Sequence, residues 1–126
     1  MSTSEHIFDH VVLRVSDLNA SRSFYEAALA PLGHKVLWQT AQGVAFGVPG
    51  SDDFGITLGE RATHHAHVAF IARDQAAVQA FYAAALAAGG RDYGAPGFHR
   101  EYHPTYYAAF VLDPDDNNIE AVFHGR

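Results

Sequence analysis

Nine histidines and no cysteine in 126 residues leave imidazole and carboxylate as the metal-capable side chains of this chain. Three of the nine crowd into HHAHVAFIA (64–72), and another opens the stretch HVVLRV at 10–15. An internal repeat relates the two places. Shifting the sequence by 57 positions sets His10 on His67, Asp17 on Asp74, Phe24-Tyr25 on Phe81-Tyr82 and Gly33 on Gly90. Coincidence of rare residues is harder to reach by chance than coincidence of alanines, so the chain reads as a duplicated unit of about half its length. The repeat also sorts the histidine tract. His64 and His65 fall on Ile7 and Phe8 and are expected in a turn, with His65 on the alternation face of His67 and so a candidate neighbour of that ligand.

The third group of this chemistry is Glu120. In NNIEAVFH, Ile119, Ala121 and Phe123 alternate with Glu120, Val122 and His124, the period of a strand with two unlike faces. A carboxylate on the cavity side of a strand is costly to bury without a cation. Two imidazoles and one carboxylate on a rigid sheet form a 2-His-1-carboxylate set that leaves coordination positions open for substrate. Setting ITL (56–58) on IEA (119–121) gives Thr57 as the first unit's counterpart of Glu120. Threonine is a poor ligand for a divalent ion, so three protein ligands are expected: His10, His67 and Glu120. The sequence leaves open whether His10 and His67 meet within one chain or across two.

The elements that must hold these residues follow from the same repeat. Each unit opens with a strand and continues with a helix capped by Asp17 or Asp74, over LNASRSFYEAALAPLG and QAAVQAFYAAALAAGG, ending at glycine. Three short strands follow: HKVLWQT, GVAFGV and FGITLGE in the first unit, with VPGSDD as a turn. In the second unit they are a piece near RDYG, then TYYAAFVLD and NIEAVFH, with DPDDNN as the last turn. The expected class is α+β, two tandem βαβββ modules at about 6–60 and 64–125 within a single domain over 1–126. GAPGFHREYHP (94–104) is expected to be a long loop. The overlapping stretch HREYHPTYY supplies His103, Tyr107 and Arg100: the first two as candidate proton donors or acceptors at a bound substrate, the third as an anion clamp. An aromatic-rich loop packed on the core is the plain alternative. Trp38, Phe46 and Phe54 serve equally as a cavity wall or as ordinary core.

Composition narrows the partners. A formal charge of −6 without any Lys/Arg cluster argues against nucleic acid. No apolar run approaches the roughly 20 residues of a membrane span. The amino terminus, MSTSEHIFDH, lacks a basic stretch followed by an apolar one, so a secretory signal is not expected. A cytoplasmic protein acting on a small molecule fits these totals.

The residues FDHVVLRVSDLNASRSFYEAAL, HVAFIARDQAAVQAFYAAAL and FVLDPDDNNIEAVF resemble the vicinal-oxygen-chelate superfamily, which unites glyoxalases, bleomycin resistance proteins and extradiol dioxygenases. The resemblance spans essentially the whole chain. It implies a U-shaped mixed sheet around a cavity, one divalent metal ion (Fe(II), Mn, Zn or Ni) at His10, His67 and Glu120, and a homodimer. It also implies a substrate that chelates the metal through adjacent oxygens. Glyoxalase I and related epimerases carry Glu or Gln at the fourth site, where this reading places Thr57, and that departure favours a dioxygenase-like reaction over a lyase or isomerase. Fosfomycin-inactivating thiol transferases place Thr and Tyr where this chain has Val12 and Phe110. A non-catalytic ligand-binding protein of the bleomycin-resistance type is the rival from another class.

Overall fold

The structure is a computed structural model, and it describes residues 7–126. The amino-terminal stretch read against a secretory signal therefore lies mostly outside the described residues, as does the expected start of the first module at residue 6.

The chain folds as two successive βαβββ units. The first comprises β1 (Val11–Val15), α1 (Leu18–Leu29), a short 3-10 turn (Ala30–Leu32), β2 (Lys35–Gln39), β3 (Gly43–Val48) and β4 (Ser51–Leu58). The second comprises β5 (His67–Ile71), α2 (Gln75–Ala87), β6 (Arg91–Phe98), β7 (Tyr107–Leu112) and β8 (Asn118–Phe123). Each unit makes its own four-stranded mixed sheet, in the order β1-β4-β3-β2 and β5-β8-β7-β6. In each, the first strand runs parallel to the last and the other pairs are antiparallel. β1 and β5 are consequently edge strands.

The helices start where the aspartates cap them. Asp17 accepts from the Ala20 amide at 3.0 Å and Asp74 from the Ala77 amide at 2.7 Å, satisfying donors that the first turn leaves free. Of the four aromatic residues shared by the repeat, Phe24, Tyr25 and Phe81 are wholly buried where α1 and α2 pack together and onto the sheets, and Tyr82 is partly buried against them. Burying each such ring is worth on the order of 1.5–3 kcal/mol.

Two boundaries differ from expectation. GAPGF is not loop: β6 runs to Phe98, because Gly94, Gly97 and Phe98 pair with Phe110, Ala108 and Tyr107 through two bulges that absorb the glycines and Pro96. The connection to β7 is shortened to residues 99–106. Likewise VPGSDD is mostly strand. Only Pro49 and Gly50 turn, Gly50 at φ 88, and Ser51–Asp53 already belong to β4.

The DPDDNN segment is a buried polar knot. The Tyr25 hydroxyl donates to the Asp113 carboxylate, and the Asp115 and Asn117 amides donate to Asp113 Oδ1, each at 2.9 Å. Ser16 donates to Asp115 at 2.6 Å. Asn117 donates to the Thr63 carbonyl at 2.8 Å and accepts from the Ala66 amide at 2.9 Å. The knot thus ties the first unit to the turn before β8 and to the segment before β5.

Candidate functional site

Residues paired across neighbouring strands put their side chains on one face. In the second sheet, His67 pairs with Asn118, Asn118 with Leu112, and Leu112 with Arg91, forming one row. The next row is Ala69, Glu120, Phe110 and Gly94. Both rows lie on the face away from α2, so strand parity alone brings His67 and Glu120 together. His67 Nε2 meets Glu120 Oε1 at 2.7 Å, and the Tyr106 hydroxyl donates to the other carboxylate oxygen.

Glu120 is 1% exposed, whereas the His67 side chain is 54% exposed. A carboxylate this buried needs a compensating positive charge. Among the described residues neither Lys nor Arg pairs with it. Its surroundings on this face are Ala108, Phe110 and Val122, with Tyr106 packed against them. One imidazole and one carboxylate in contact, on a rigid sheet and in an apolar setting, fit a divalent cation. Burial, then the hydrogen bond to Glu120, raises the pKa of Tyr106 far above that of an ordinary phenol, keeping it a donor.

His10 is not brought to this pair. It lies in the coil just before β1, where its Nδ1 meets Asp9 Oδ1 at 2.7 Å, and that hydrogen bond raises its pKa. Together with Phe8, Phe54, Phe70 and Ile71 it lines a cavity of about 800 Å³ between the two units. Among the described residues no three metal-capable side chains gather at one point within the chain.

The fourth position also differs from expectation. Val12 pairs with Gly55 as Ala69 pairs with Glu120, and Ala45 with Gly55 as Phe110 with Glu120. Gly55, not Thr57, is therefore the counterpart of Glu120. Thr57 pairs with Arg14 and donates to the Gln42 carbonyl at 3.3 Å. Aligning ITL with IEA matched residue types but slipped two positions along the strand, which preserves the face and so escapes a parity test.

Of the loop candidates, His103 lies beside the site: its Nε2 meets His124 Nδ1 at 2.9 Å and its ring packs edge-on against Tyr106. Partial burial, with Arg126 and His124 nearby, lowers its pKa. Tyr107 takes the opposite face, buried at 7% exposure, where its hydroxyl accepts from Gln79 at 3.0 Å. Arg100 stacks over Phe98, 4.6 Å from the ring centroid. Sequence reasoning gave no role to Tyr106 or His124. Parity in TYYAAF was the available signal, since Tyr106, Ala108 and Phe110 must share the face of Glu120. His65 lines the same cavity as His67, whereas His64 Nδ1 meets the Asp115 carbonyl at 2.8 Å. Phe46 and Phe54 belong to the core while also walling the larger cavity, and Trp38 is half-exposed on an edge strand.

Comparison with known proteins places the fold. A glyoxalase/bleomycin resistance protein from Albidiferax ferrireducens superimposes with a TM-score of 0.82 at 33% identity, covering 94% of this chain and 98% of that one. A glyoxalase/bleomycin resistance protein/dioxygenase family enzyme from Burkholderia phytofirmans gives 0.71 at 20% identity, over 92% and 97%. The E144Q mutant of glyoxalase I from Zea mays gives 0.70 at 26% identity, over 91% of this chain and 46% of that one. Curated proteins gave no match. A sequence profile of the Glyoxalase/Bleomycin resistance protein/Dioxygenase superfamily matches residues 7–121, and the chain belongs to that superfamily.

Proposed function

We propose that this protein is a metal-dependent enzyme acting on a small oxygenated molecule, dioxygenase-like in its ligand set, with a metal centre completed between two copies of the chain. The observation that carries the reading is the buried Glu120–His67 contact, beside which no third metal-capable side chain gathers among the described residues. The missing imidazole is His10, set just before β1, which pairs with β4 on one side and lies at the edge of its sheet on the other. Ile7, Phe8, Val12 and Ile71 are all exposed along the β1 and β5 edges, an apolar margin suited to a second subunit. A twofold dimer would bring β1 of one copy beside β5 of the other, and His10 of one copy toward His67 and Glu120 of its partner.

A bound divalent ion supplies a Lewis acid that holds adjacent substrate oxygens and stabilises developing negative charge. His67 and Glu120 would hold it, with His10 contributed across the interface. Tyr106 keeps one carboxylate oxygen of Glu120 occupied, leaving the other for the ion. Phe110, Val122 and Ala108 exclude water from one side. His103 and His124, in contact with each other, stand ready to pass a proton at the rim.

Gly55 favours this reading over a glyoxalase I-like lyase or isomerase, because the first unit offers no side chain where that class carries its fourth ligand. Metal analysis of protein purified without chelators tests the proposal, followed by oxygen uptake on a catechol panel after Fe(II) loading. Stoichiometric metal that is lost in His67→Ala and His10→Ala supports a metal centre. Tight ligand binding that survives both substitutions in metal-free protein contradicts it and favours a sequestering protein. Metal without oxygen uptake removes the dioxygenase-like assignment.

A further inference from the structure

The cavity beside His67 has a polar far wall that the metal reading does not use. It measures about 370 Å³ and is lined by His65, His67, Arg91, Tyr93, Asp116 and Asn118, with Leu112 as its floor. His67, Asn118, Leu112 and Arg91 are the row described above, so the cavity runs straight across the sheet from the candidate metal ligand to β6. Three strand spacings separate the ends, about 14 Å between backbones, less the reach of the side chains.

The far wall is rich in donors. The Arg91 guanidinium contacts Asp116 through one nitrogen, which holds it against the wall while leaving its other N–H groups free for a second acceptor. The Tyr93 side chain is 59% exposed beside it. The rim is built from the two described non-glycine residues with positive φ, His65 at 60° and Asp116 at 68°, joined by a hydrogen bond from the His65 amide to the Asp116 carbonyl at 3.3 Å. Backbone held in that region persists only where surrounding structure enforces it. Here the enforcement comes from the DPDDNN knot.

We infer that this cavity is a substrate subsite, in which Arg91 and Tyr93 take an anionic group, carboxylate or phosphate, at the end of the substrate opposite its metal-chelating oxygens. The inference rests on the metal-centre reading for what lies at the His67 end, but the Arg91 end stands alone. Arg91 rather than Arg100 is the clamp, since Arg100 is stacked over Phe98 and lines neither cavity. With a formal chain charge of −6, an anion gains nothing from the overall field, so its capture depends on these local donors.

Amide NMR titration of the metal-free full-length protein with inorganic phosphate, then with 2-hydroxyglutarate with and without Zn²⁺, tests this. Phosphate is expected to shift the amides of residues 65, 91, 93, 116 and 118 in a saturable way. Arg91→Gln should weaken binding at least ~10-fold, Tyr93→Phe about threefold, and Arg100→Gln not at all, as charge-assisted contacts dominate. Zn²⁺ should tighten 2-hydroxyglutarate but not phosphate. Absence of saturable shifts, equal binding by Arg91→Gln, or loss only in Arg100→Gln overturns the subsite. Arg91-dependent phosphate binding with no Zn²⁺ effect on 2-hydroxyglutarate upholds the subsite and overturns the metal reading instead.

Discussion

The two units share an ancestor-like pattern and differ on one face. Their helix-side residues are nearly interchangeable: Phe24 and Phe81 are both wholly buried, and both helices begin on an aspartate cap. On the other face the second unit carries Glu120 and Phe110 where the first carries Gly55 and Ala45, and it adds Tyr106 and His124, so that only His10 answers His67 in kind. Gly55 is also not demanded by packing. A Cβ there would meet the Val44 carbonyl oxygen at 3.5 Å and Val12 Cγ2 at 3.6 Å, ordinary contacts. Packing has kept the two units alike where they face each other, and chemistry has concentrated in one of them. The β-turns repeat the contrast: Pro49-Gly50 in the first unit, the buried Asp113 knot in the second.

The largest expected effect separates those turns. Asp113→Ala leaves the Tyr25 hydroxyl and the Asn117 amide without a buried partner and should cost about 3 kcal/mol or more in urea unfolding. Gly50→Ala, at φ 88, should cost about 1 kcal/mol. Equal losses would mean the knot is no more important than a tight turn. Next comes the face. Glu120→Ala should weaken Zn²⁺ or Mn²⁺ binding by calorimetry more than ~100-fold, beyond the roughly 10–100-fold typical of outer partners, and Gly55→Ala should leave it unchanged. Comparable affinities for wild type and Glu120→Ala would remove the asymmetry. Tyr106→Phe, which touches only the far oxygen of Glu120, should cost about tenfold in the same measurement.

The smallest effect compares the repeat-related tyrosines. Tyr25 is buried against Asp113, and burial raises its pKa well above the usual 10.0. Tyr82 donates to Asp92 at 3.0 Å and is only partly buried; that hydrogen bond is the main cause of its raised pKa. A folded-state pKa above the unfolded one gives stability that is complete below the unfolded value and is lost as pH rises past it. The Tm should therefore hold up to about pH 10 and fall as the pH rises beyond it. Tyr25→Phe should flatten that fall, and Tyr82→Phe should barely alter it.

Much of this was legible because period and repeat are local properties. His67 and Glu120 emerged from alternation and internal matching alone, as did the caps and the order of elements. What was not legible depended on pairing over distance. Matching ITL to IEA sets Thr57 opposite Glu120 through a two-residue slip that keeps every side chain on its face, and only the β3–β4 and β1–β4 registers put Gly55 there instead. Gly94, Pro96 and Gly97 look like loop in the sequence, and only the bulges that accommodate them extend β6 to Phe98. Parity with Phe110 and Glu120 points to Tyr106, whereas Tyr107, the expected proton donor, turns to the opposite face. The separation of His10 from His67 was beyond sequence altogether, since the repeat says which residues correspond and not whether they meet.

Subunit mixing tests the central claim most directly. His10→Ala and Glu120→Ala proteins are each expected to lack tight metal; the two are unfolded together, refolded, and assayed for bound metal. A centre shared across a twofold dimer gives each mixed dimer one intact site, or about one metal per four subunits in a random mixture. Mixed dimers verified by mass that bind no metal would contradict the account by placing all the ligands within one chain, and His10→Ala protein that keeps its metal would leave His10 without a role.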